Sequence, residues 1–187
     1  MDIGCVLMAS GFGRRFGSNK LLAPAGGVPL VRRAMETYAG LPFARRAVVS
    51  QYEAVLAMGP GFGFSPILNE EAAQGISASV RLGTAAMEGM DGVLFAVSDQ
   101  PWLTPESVAR LLSAFRAHPG RICALAAEGR RGNPAVFPAD CFPDLLALTG
   151  DAGGGQIIRR HPERLLLVEA CHPRELSDVD RPEDLQA

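Results

Sequence analysis

The residues best suited to chemistry lie in a glycine-rich segment near the start of the chain, residues 8–20, with the sequence MASGFGRRFGSNK. Small residues such as Gly11 and Gly13 let the backbone approach a ligand closely, and successive N–H groups can then surround phosphate oxygens. Arg15 offers a planar guanidinium and Lys20 a compact ammonium, so both suit a triphosphate. The segment contains GxGxxxG but no Walker A pattern. We therefore predict a phosphate-binding loop.

Two acidic positions could complete such a site with a metal ion. Asp99 follows the apolar run GVLFAV and precedes Pro101, and a carboxylate there could hold Mg²⁺ between phosphate oxygens. Asp180 lies in the C-terminal run SDVDRPEDL. It could cap the last helix or serve as a second metal ligand, and both alternatives stay open at this point.

The pattern of apolar residues predicts the elements that position these groups. Strands are expected at residues 3–9, 47–49, 67–68, 92–97, 122–126, 135–137 and 165–168. Helices are expected at residues 29–38 and 77–87, from residue 104 and from residue 180. This alternation predicts an α/β fold with three layers and a mostly parallel open sheet. Ligands bind such sheets at the carboxyl ends of strands, where both the glycine-rich segment and Asp99 fall.

Length and composition narrow the class of protein. A chain of 187 residues fits a single domain over residues 1–187, and 48% hydrophobic with 20% charged residues is typical of a globular protein. The net charge of −2 leaves no basic stripe for a nucleic acid. The apolar run near the N-terminus is too short for a signal or membrane segment. Four dispersed cysteines without a CxxC pattern favour a reducing compartment, so we expect a cytoplasmic protein without a membrane partner.

Taken together, these motifs resemble a known family. The run at residues 8–20 is similar to the LAAGxGxRMGxxK signature of the molybdenum cofactor cytidylyltransferases, within the wider MobA-like NTP transferases. The likeness continues in order through Asn69, residues 74–81 (QGISASVR), residues 98–101 (SDQP), residues 129–134 (GRRGNP), Gly150-Asp151 and residues 178–185 (DVDRPEDL). It thus covers nearly the whole chain.

The resemblance implies a Rossmann-like nucleotidyltransferase that moves CMP from CTP to molybdopterin or its molybdenum-loaded form and releases pyrophosphate. Mg²⁺ would be required, and a molybdenum hydroxylase is an expected partner. The catalytic residues implied are Arg15, Lys20 and Asp99. The nucleotide-binding residues implied are Ala9, Ser10, Gly11, Gly13, Arg15, Lys20, Asn69, Ser79 and Arg81, and the metal ligands are Asp99 and Asp180. Residues 132–134 and Asp151 would lie toward the acceptor.

Four positions depart from the family pattern: Ser10, Phe16, Ser98 and Asn133. Ser10 stands where a second Ala is usual, and guanine-using relatives tend to have Gly-Gly there, so Ala9-Ser10 is nearer the cytosine type. Ser98 replaces a Gly and is expected to narrow the space beside Asp99.

Three alternatives remain. The enzyme could transfer a nucleotide to another phosphorylated acceptor, such as a sugar, alcohol or lactate phosphate. It could be an NAD(P)-dependent oxidoreductase that uses GxGxxxG, although that requires an acid near the end of the second strand, where Ser50-Gln51-Tyr52 stands and Glu53 is the nearest acid. It could also be a non-catalytic chaperone that holds a finished cofactor for a hydroxylase.

Overall fold

The computed structural model describes residues 1–13, 16 and 19–186. Its strands are β1 (Ile3–Met8), β2 (Pro24–Ala25), β3 (Val28–Pro29), β4 (Arg45–Ser50), β5 (Ser65–Leu68), β6 (Gly92–Val97), β7 (Ile122–Ala127), β8 (Arg130–Pro138) and β9 (Leu165–Glu169). Its α-helices are α1 (Leu30–Ala39), α2 (Glu53–Met58), α3 (Ile76–Ala86), α4 (Pro105–Ala117), α5 (Phe142–Leu146) and α6 (Gly155–Arg160). No described helix is both long and apolar enough to cross a bilayer.

Seven of these strands form one sheet in the order β5-β4-β1-β6-β8-β7-β9. All neighbours are parallel except β8, which is antiparallel to both β6 and β7. The predicted mostly parallel sheet is confirmed. A hairpin with the two-residue turn Glu128-Gly129, both at positive φ, joins β7 to β8 and reverses the chain.

Alternation along the central strands builds the three layers. On β1, Cys5 and Leu7 face one apolar cluster together with Val31 and Met35 of α1 and with residues of α4. Val6 faces the opposite cluster, with Val80 of α3 and residues of α5 and α6. Because successive side chains of a strand point to opposite faces, one strand serves both cores. The expected three-layer α/β fold is therefore confirmed.

Several predicted boundaries differ from the observed ones. The strand expected at residues 135–137 begins at Arg130, because its polar first half pairs with β7 in a hairpin that apolar periodicity does not reveal. Helix α2 follows β4 in a segment for which no element was expected. The helix expected from Asp180 is a 3₁₀-helix at Pro182–Gln186. Asp184 accepts the N–H groups of Asp180 and Arg181 there, each at 2.8 Å.

The C-terminal segment is fastened to the loop after β6 by a buried carboxylate. Glu175, 2% exposed, lies in a 3₁₀-turn at Pro173–Leu176. Its Oε2 accepts the N–H and the hydroxyl of Thr104 at 2.9 and 2.7 Å, and its Oε1 accepts the N–H of His172 at 2.9 Å. Burial raises the pKa of Glu175, but these hydrogen bonds, with one from Ser107, outweigh it and hold the pKa below its ordinary value.

We predict that Glu175→Gln lowers the free energy of unfolding at neutral pH by about 1–3 kcal/mol. The NH₂ group of the glutamine would face either the donors of Thr104 or the N–H of His172, where the carboxylate now accepts hydrogen bonds. Since the folded-state pKa of Glu175 is lowered, the carboxylate contributes stability above the ordinary glutamate pKa of about 4.3 and loses it as the pH falls below that value. Denaturant unfolding from pH 8 to pH 3 measures both effects. Glu88→Gln, at an exposed position in the turn after α3, is the control. A difference between wild type and Glu175→Gln that persists unchanged at pH 3 would contradict the prediction.

Candidate active site

A cleft of about 600 Å³ opens at the carboxyl ends of β1 and β6. The described residues predicted for the nucleotide or metal that line it are Ser10, Gly11, Gly13, Lys20, Ser79, Asp99 and Asp180. Ala9 and Asn69 are buried behind its wall, and Arg15 lies outside the described residues. The cleft therefore brings together residues from the two ends of the chain and from its middle.

Lys20 is the centre of the charged groups in this cleft. Its Nζ donates to Asp99 Oδ2 at 2.8 Å, lies 3.5 Å from Asp180 Oδ1 and donates to the carbonyl of Val179 at 3.1 Å. Burial lowers the pKa of Lys20, but the hydrogen bond and charge of Asp99, with those of Asp180, outweigh it and raise the pKa above its ordinary value. The ammonium is therefore charged at neutral pH and bound between two carboxylates.

The C-terminal segment carries Asp180 into the cleft. The N–H of Val179 donates to the carbonyl of Asp99 at 2.9 Å, and Gln100 Nε2 donates to Asp178 Oδ1 at 2.9 Å. Burial raises the pKa of Asp178, and the charges of Asp99 and Asp180 raise it further. Three carboxylates from two segments thus lie around one ammonium, so this side of the cleft favours cations.

A metal at this point would depend on its substrate for ligands. In the described part of the chain, no group of three or more His, Cys, Asp or Glu side chains is arranged to hold a metal. Asp99 and Asp180 converge on one cation, Lys20, and offer hard oxygen atoms. Mg²⁺ binds well to one or two carboxylates when phosphate oxygens and waters complete its shell. The donor set therefore fits Mg²⁺ in the presence of a phosphorylated ligand.

The glycine-rich loop is held from behind by three consecutive side chains. Ser50 Oγ donates to the carbonyl of Ala9 at 2.7 Å, Gln51 Nε2 to that of Ser10 at 2.7 Å, and the Tyr52 hydroxyl to that of Gly11 at 3.1 Å.

In a trans peptide, the C=O of one residue and the N–H of the next point in opposite directions. The N–H groups of residues 10–12 are therefore turned away from Ser50, Gln51 and Tyr52. Sequence reasoning missed this role. It considered these residues only as the place where a ribose-binding acid was lacking, and their polar side chains directly after a buried strand were the available signal.

Asn69 links the loop to helix α3. Its Nδ2 donates to Ser10 Oγ at 3.2 Å and to Ser79 Oγ at 3.0 Å, while its own N–H donates to the carbonyl of Ser50 at 2.9 Å. Asn69 is 1% exposed, so it positions two residues that line the cleft and does not line the cleft itself.

Arg81 and Ser98 have well-defined partners. Arg81 donates to Ser77 Oγ, to the carbonyl of Leu148 at 2.8 Å and to the Glu71 carboxylate at 3.2 Å. These contacts tie α3 to its surroundings, and Arg81 is not among the residues that line the cleft. Ser98 Oγ donates to the carbonyl of Met8 at 3.0 Å, so the hydroxyl joins the ends of β1 and β6 beside Asp99.

A second cavity of about 190 Å³ adjoins the cleft. The two share Met8, Ile76 and Val97 as lining residues, so these residues form the wall between them. Asn133 lines this smaller cavity, whereas Asp151 lines the cleft. Both were expected toward an acceptor, and they line two different spaces that share a wall at Ile76.

Two curated proteins are similar in sequence to most of this chain. Nicotine blue oxidoreductase of Paenarthrobacter nicotinovorans is 31% identical over 98% of this chain and 96% of its own. The molybdenum cofactor guanylyltransferase of Rhodobacter capsulatus is 34% identical over 79% of this chain and 90% of its own.

Two solved structures are similar over nearly the whole chain. A nucleotidyl transferase from Methanothermobacter thermautotroptrophicus is 25% identical, with a TM-score of 0.82 over 99% of this chain and 94% of that one. Rv0371c of Mycobacterium tuberculosis in complex with manganese is also 25% identical, with a TM-score of 0.79 over 100% of this chain and 97% of that one.

The MobA-like NTP transferase domain matches residues 5–165, which include the loop, Asn69, Ser79 and Asp99. This match covers most of the chain, and the sheet order and the cleft at the carboxyl ends of β1 and β6 agree with it. The chain belongs to the MobA-like NTP transferase family and is a nucleotidyltransferase.

Proposed function

We propose that this enzyme transfers CMP from CTP to molybdopterin or its molybdenum-loaded form, with Mg²⁺, and releases pyrophosphate. The observation that carries the proposal is the convergence of Lys20, Asp99 and Asp180 in a cleft that is also lined by Ser10, Gly11 and Gly13. Backbone N–H groups and an ammonium suit phosphate oxygens, and paired carboxylates suit a divalent cation. Triphosphate and metal can therefore be bound side by side.

The choice of CTP rests on the start of the loop. Ser10 carries a side chain where guanine-using relatives tend to have glycine, and Asn69 holds its hydroxyl in place at 3.2 Å. Side-chain atoms at this point leave less room for a base, which favours a pyrimidine over the larger purine. The relative named as a guanylyltransferase makes GTP the main competitor to be tested.

The proposed reaction needs positioning more than it needs a base. A phosphate monoester is already ionised near neutral pH. One of its oxygens forms a bond to the α-phosphorus of CTP while the bond from that phosphorus to the bridging oxygen breaks, and pyrophosphate leaves with the electron pair. Mg²⁺, held by Asp99 and Asp180, would neutralise phosphate oxygens. Lys20 would neutralise the triphosphate, and so would Arg15, whose role stays a prediction.

The acceptor rests on the family resemblance and on the relatives. One relative bears the name of a molybdenum cofactor enzyme, and the match to it covers 79% of this chain and 90% of that protein. A molybdenum hydroxylase would then be the recipient of the product, and this partner is also a proposal.

The proposal is tested by incubating the enzyme and Mg²⁺ with each of the four NTPs and purified molybdopterin. We expect pyrophosphate release that depends on the acceptor and is fastest with CTP, and a product heavier than molybdopterin by one CMP residue in mass spectrometry. Tight binding of the product without turnover of any NTP would support the chaperone alternative. Turnover with a sugar or alcohol phosphate alone would support another acceptor.

We predict that Asp99→Asn and Lys20→Met each lower kcat/KM by about 100-fold or more, because each removes a charge that stabilises the transition state. Steady-state kinetics at saturating Mg²⁺ measure the loss. Asp140→Asn is the matched control. Asp140 forms an ion pair with Arg164, 2.8 Å between the two charged groups, and neither residue lines the cleft, so its loss should leave kcat/KM within twofold. Full activity in Asp99→Asn would exclude the proposed metal site.

A second prediction concerns the loop. Gln51→Ala removes the hydrogen bond to the carbonyl of Ser10 and should raise the Kd for the NTP about fivefold, since one such bond contributes about 1 kcal/mol. Tyr52→Phe, which removes only the hydroxyl bound to Gly11, should have a similar but smaller effect. Equilibrium dialysis measures both. Glu53→Gln, the next residue with an exposed side chain, is the control. Equal affinity in all four proteins would show that the loop holds its shape without these bonds.

A hydride-transfer function is the second candidate, because one relative is named an oxidoreductase. The acid that a dinucleotide site needs after its second strand is missing here. Ser50, Gln51 and Tyr52 stand there instead and are engaged with the loop. We expect that a fluorescence titration detects no binding of NAD(P)H at the concentrations at which the NTP saturates its own site. Binding that ignores Mg²⁺ and survives Asp99→Ala would favour the oxidoreductase over the transferase.

A further inference from the structure

The smaller cavity beside the cleft has an apolar interior and one cationic edge. Phe95 and Phe137 meet edge to face inside it, with ring centroids 6.1 Å apart, and Ala135 lies on the same wall. Arg131 is the charged residue of its lining. A ligand in this space would therefore meet hydrocarbon on one side and a guanidinium on the other.

The wall that faces these rings is a run of three glycines, residues 153–155. A Cβ on Gly154 would lie 2.5 Å from Cζ of Phe137, so the backbone lies directly against the edge of that ring. A Cβ on Gly155 would lie 3.3 Å from Arg131 Nη2 and 3.5 Å from Arg159 Nη1. The space beside Gly155 is thus bounded by two guanidinium groups from different elements, β8 and α6.

Both guanidiniums lack an acidic partner in the described part of the chain. Among the described arginines, Arg164, Arg32 and Arg81 do have acidic partners, at 2.8, 2.9 and 3.2 Å respectively. The guanidinium groups of Arg131 and Arg159 make no hydrogen bond or ion pair with another described residue. Two like charges that point into one space repel each other unless an anion lies between them, and the planar guanidinium matches the oxygens of a phosphate.

We propose that Arg131 and Arg159 form a phosphate-binding site that holds the phosphate of the acceptor at the edge of the smaller cavity. This inference rests on the proposed function for the identity of the substrate, because it assigns the phosphorylated acceptor to this space. The two guanidiniums neutralise the incoming phosphate and reduce its repulsion from the triphosphate in the adjoining cleft. The apolar interior holds the part of the acceptor next to that phosphate, and Gly155 leaves room for the phosphate oxygens.

The site can be tested with inorganic phosphate alone. The thermal midpoint of the wild type should rise with phosphate at constant ionic strength, with chloride as the reference anion. Arg131→Gln and Arg159→Gln should each weaken phosphate binding at least about tenfold, the usual loss when a charged hydrogen bond is removed. Arg159 and Arg160 are both exposed and adjacent in the same helix, but only Arg159 lies beside Gly155, so Arg160→Gln is the matched control. Lys20→Met should keep the response, which separates this site from the cleft.

A substitution that fills the site gives an independent test. Gly155→Asp places a carboxylate between the two guanidiniums, so it should abolish the response to phosphate. Its thermal midpoint without phosphate should be no lower than that of the wild type. The proposal is overturned if the wild type does not respond to phosphate, if Arg131→Gln and Arg159→Gln respond as the wild type does, or if Arg160→Gln loses the response equally.

Kinetics with the acceptor then separate this proposal from the transferase proposal. Arg131→Gln and Arg159→Gln should raise KM for the acceptor about tenfold and leave KM for the NTP within twofold. An unchanged acceptor KM in an active enzyme would overturn the acceptor site alone. If no NTP is turned over but phosphate binding still depends on both arginines, the transferase proposal fails and the anion site stands.

Discussion

The site depends on one ion-pair arrangement: the ammonium of Lys20 between the carboxylates of Asp99 and Asp180. These residues come from the start, the middle and the end of the chain, and Val179, which accepts a hydrogen bond from Lys20, is 159 residues away from it. Partly buried charges are costly when they lack a partner, so each of the three stabilises the position of the other two. This ion-pair arrangement is complete only when the C-terminal segment returns to the end of β6.

That return is secured by apolar packing of Val179 and Leu185 and by a set of polar contacts. Glu175 binds the first turn of α4 through Thr104, Gln100 binds Asp178, and the N–H of Val179 extends the backbone contact to Asp99. Each of these bonds joins the C-terminal segment to the loop that follows the central strand. The same loop therefore carries one acid of the site and holds the segment that carries the other.

The two walls of the cleft differ in electrostatic character. Asp99 and Asp180 make one wall acidic, whereas the glycine-rich loop offers N–H groups because its carbonyls are bound from behind by Ser50, Gln51 and Tyr52. An acidic wall repels a bare triphosphate, and in the proposed reaction a divalent cation reverses that repulsion. A loop whose hydrogen bonds are formed before the substrate arrives needs no rearrangement during the reaction, which is the condition for strong electrostatic stabilisation.

Local sequence determined the order of elements and the chemical character of the site. Apolar runs with periods of two and 3.6 residues predicted the buried strands and the helices α1, α3 and α4, and small and charged residues after the first strand predicted a phosphate-binding loop. Tertiary structure alone decided which residues meet. Asp180 was undecided between a helix cap and a site ligand until the C-terminal segment was seen beside Lys20. The sequence also did not reveal the supporting role of residues 50–52 or the position of Arg131 and Arg159 beside Gly155. Contacts between distant segments follow from strand order and register, which periodicity within a segment does not encode.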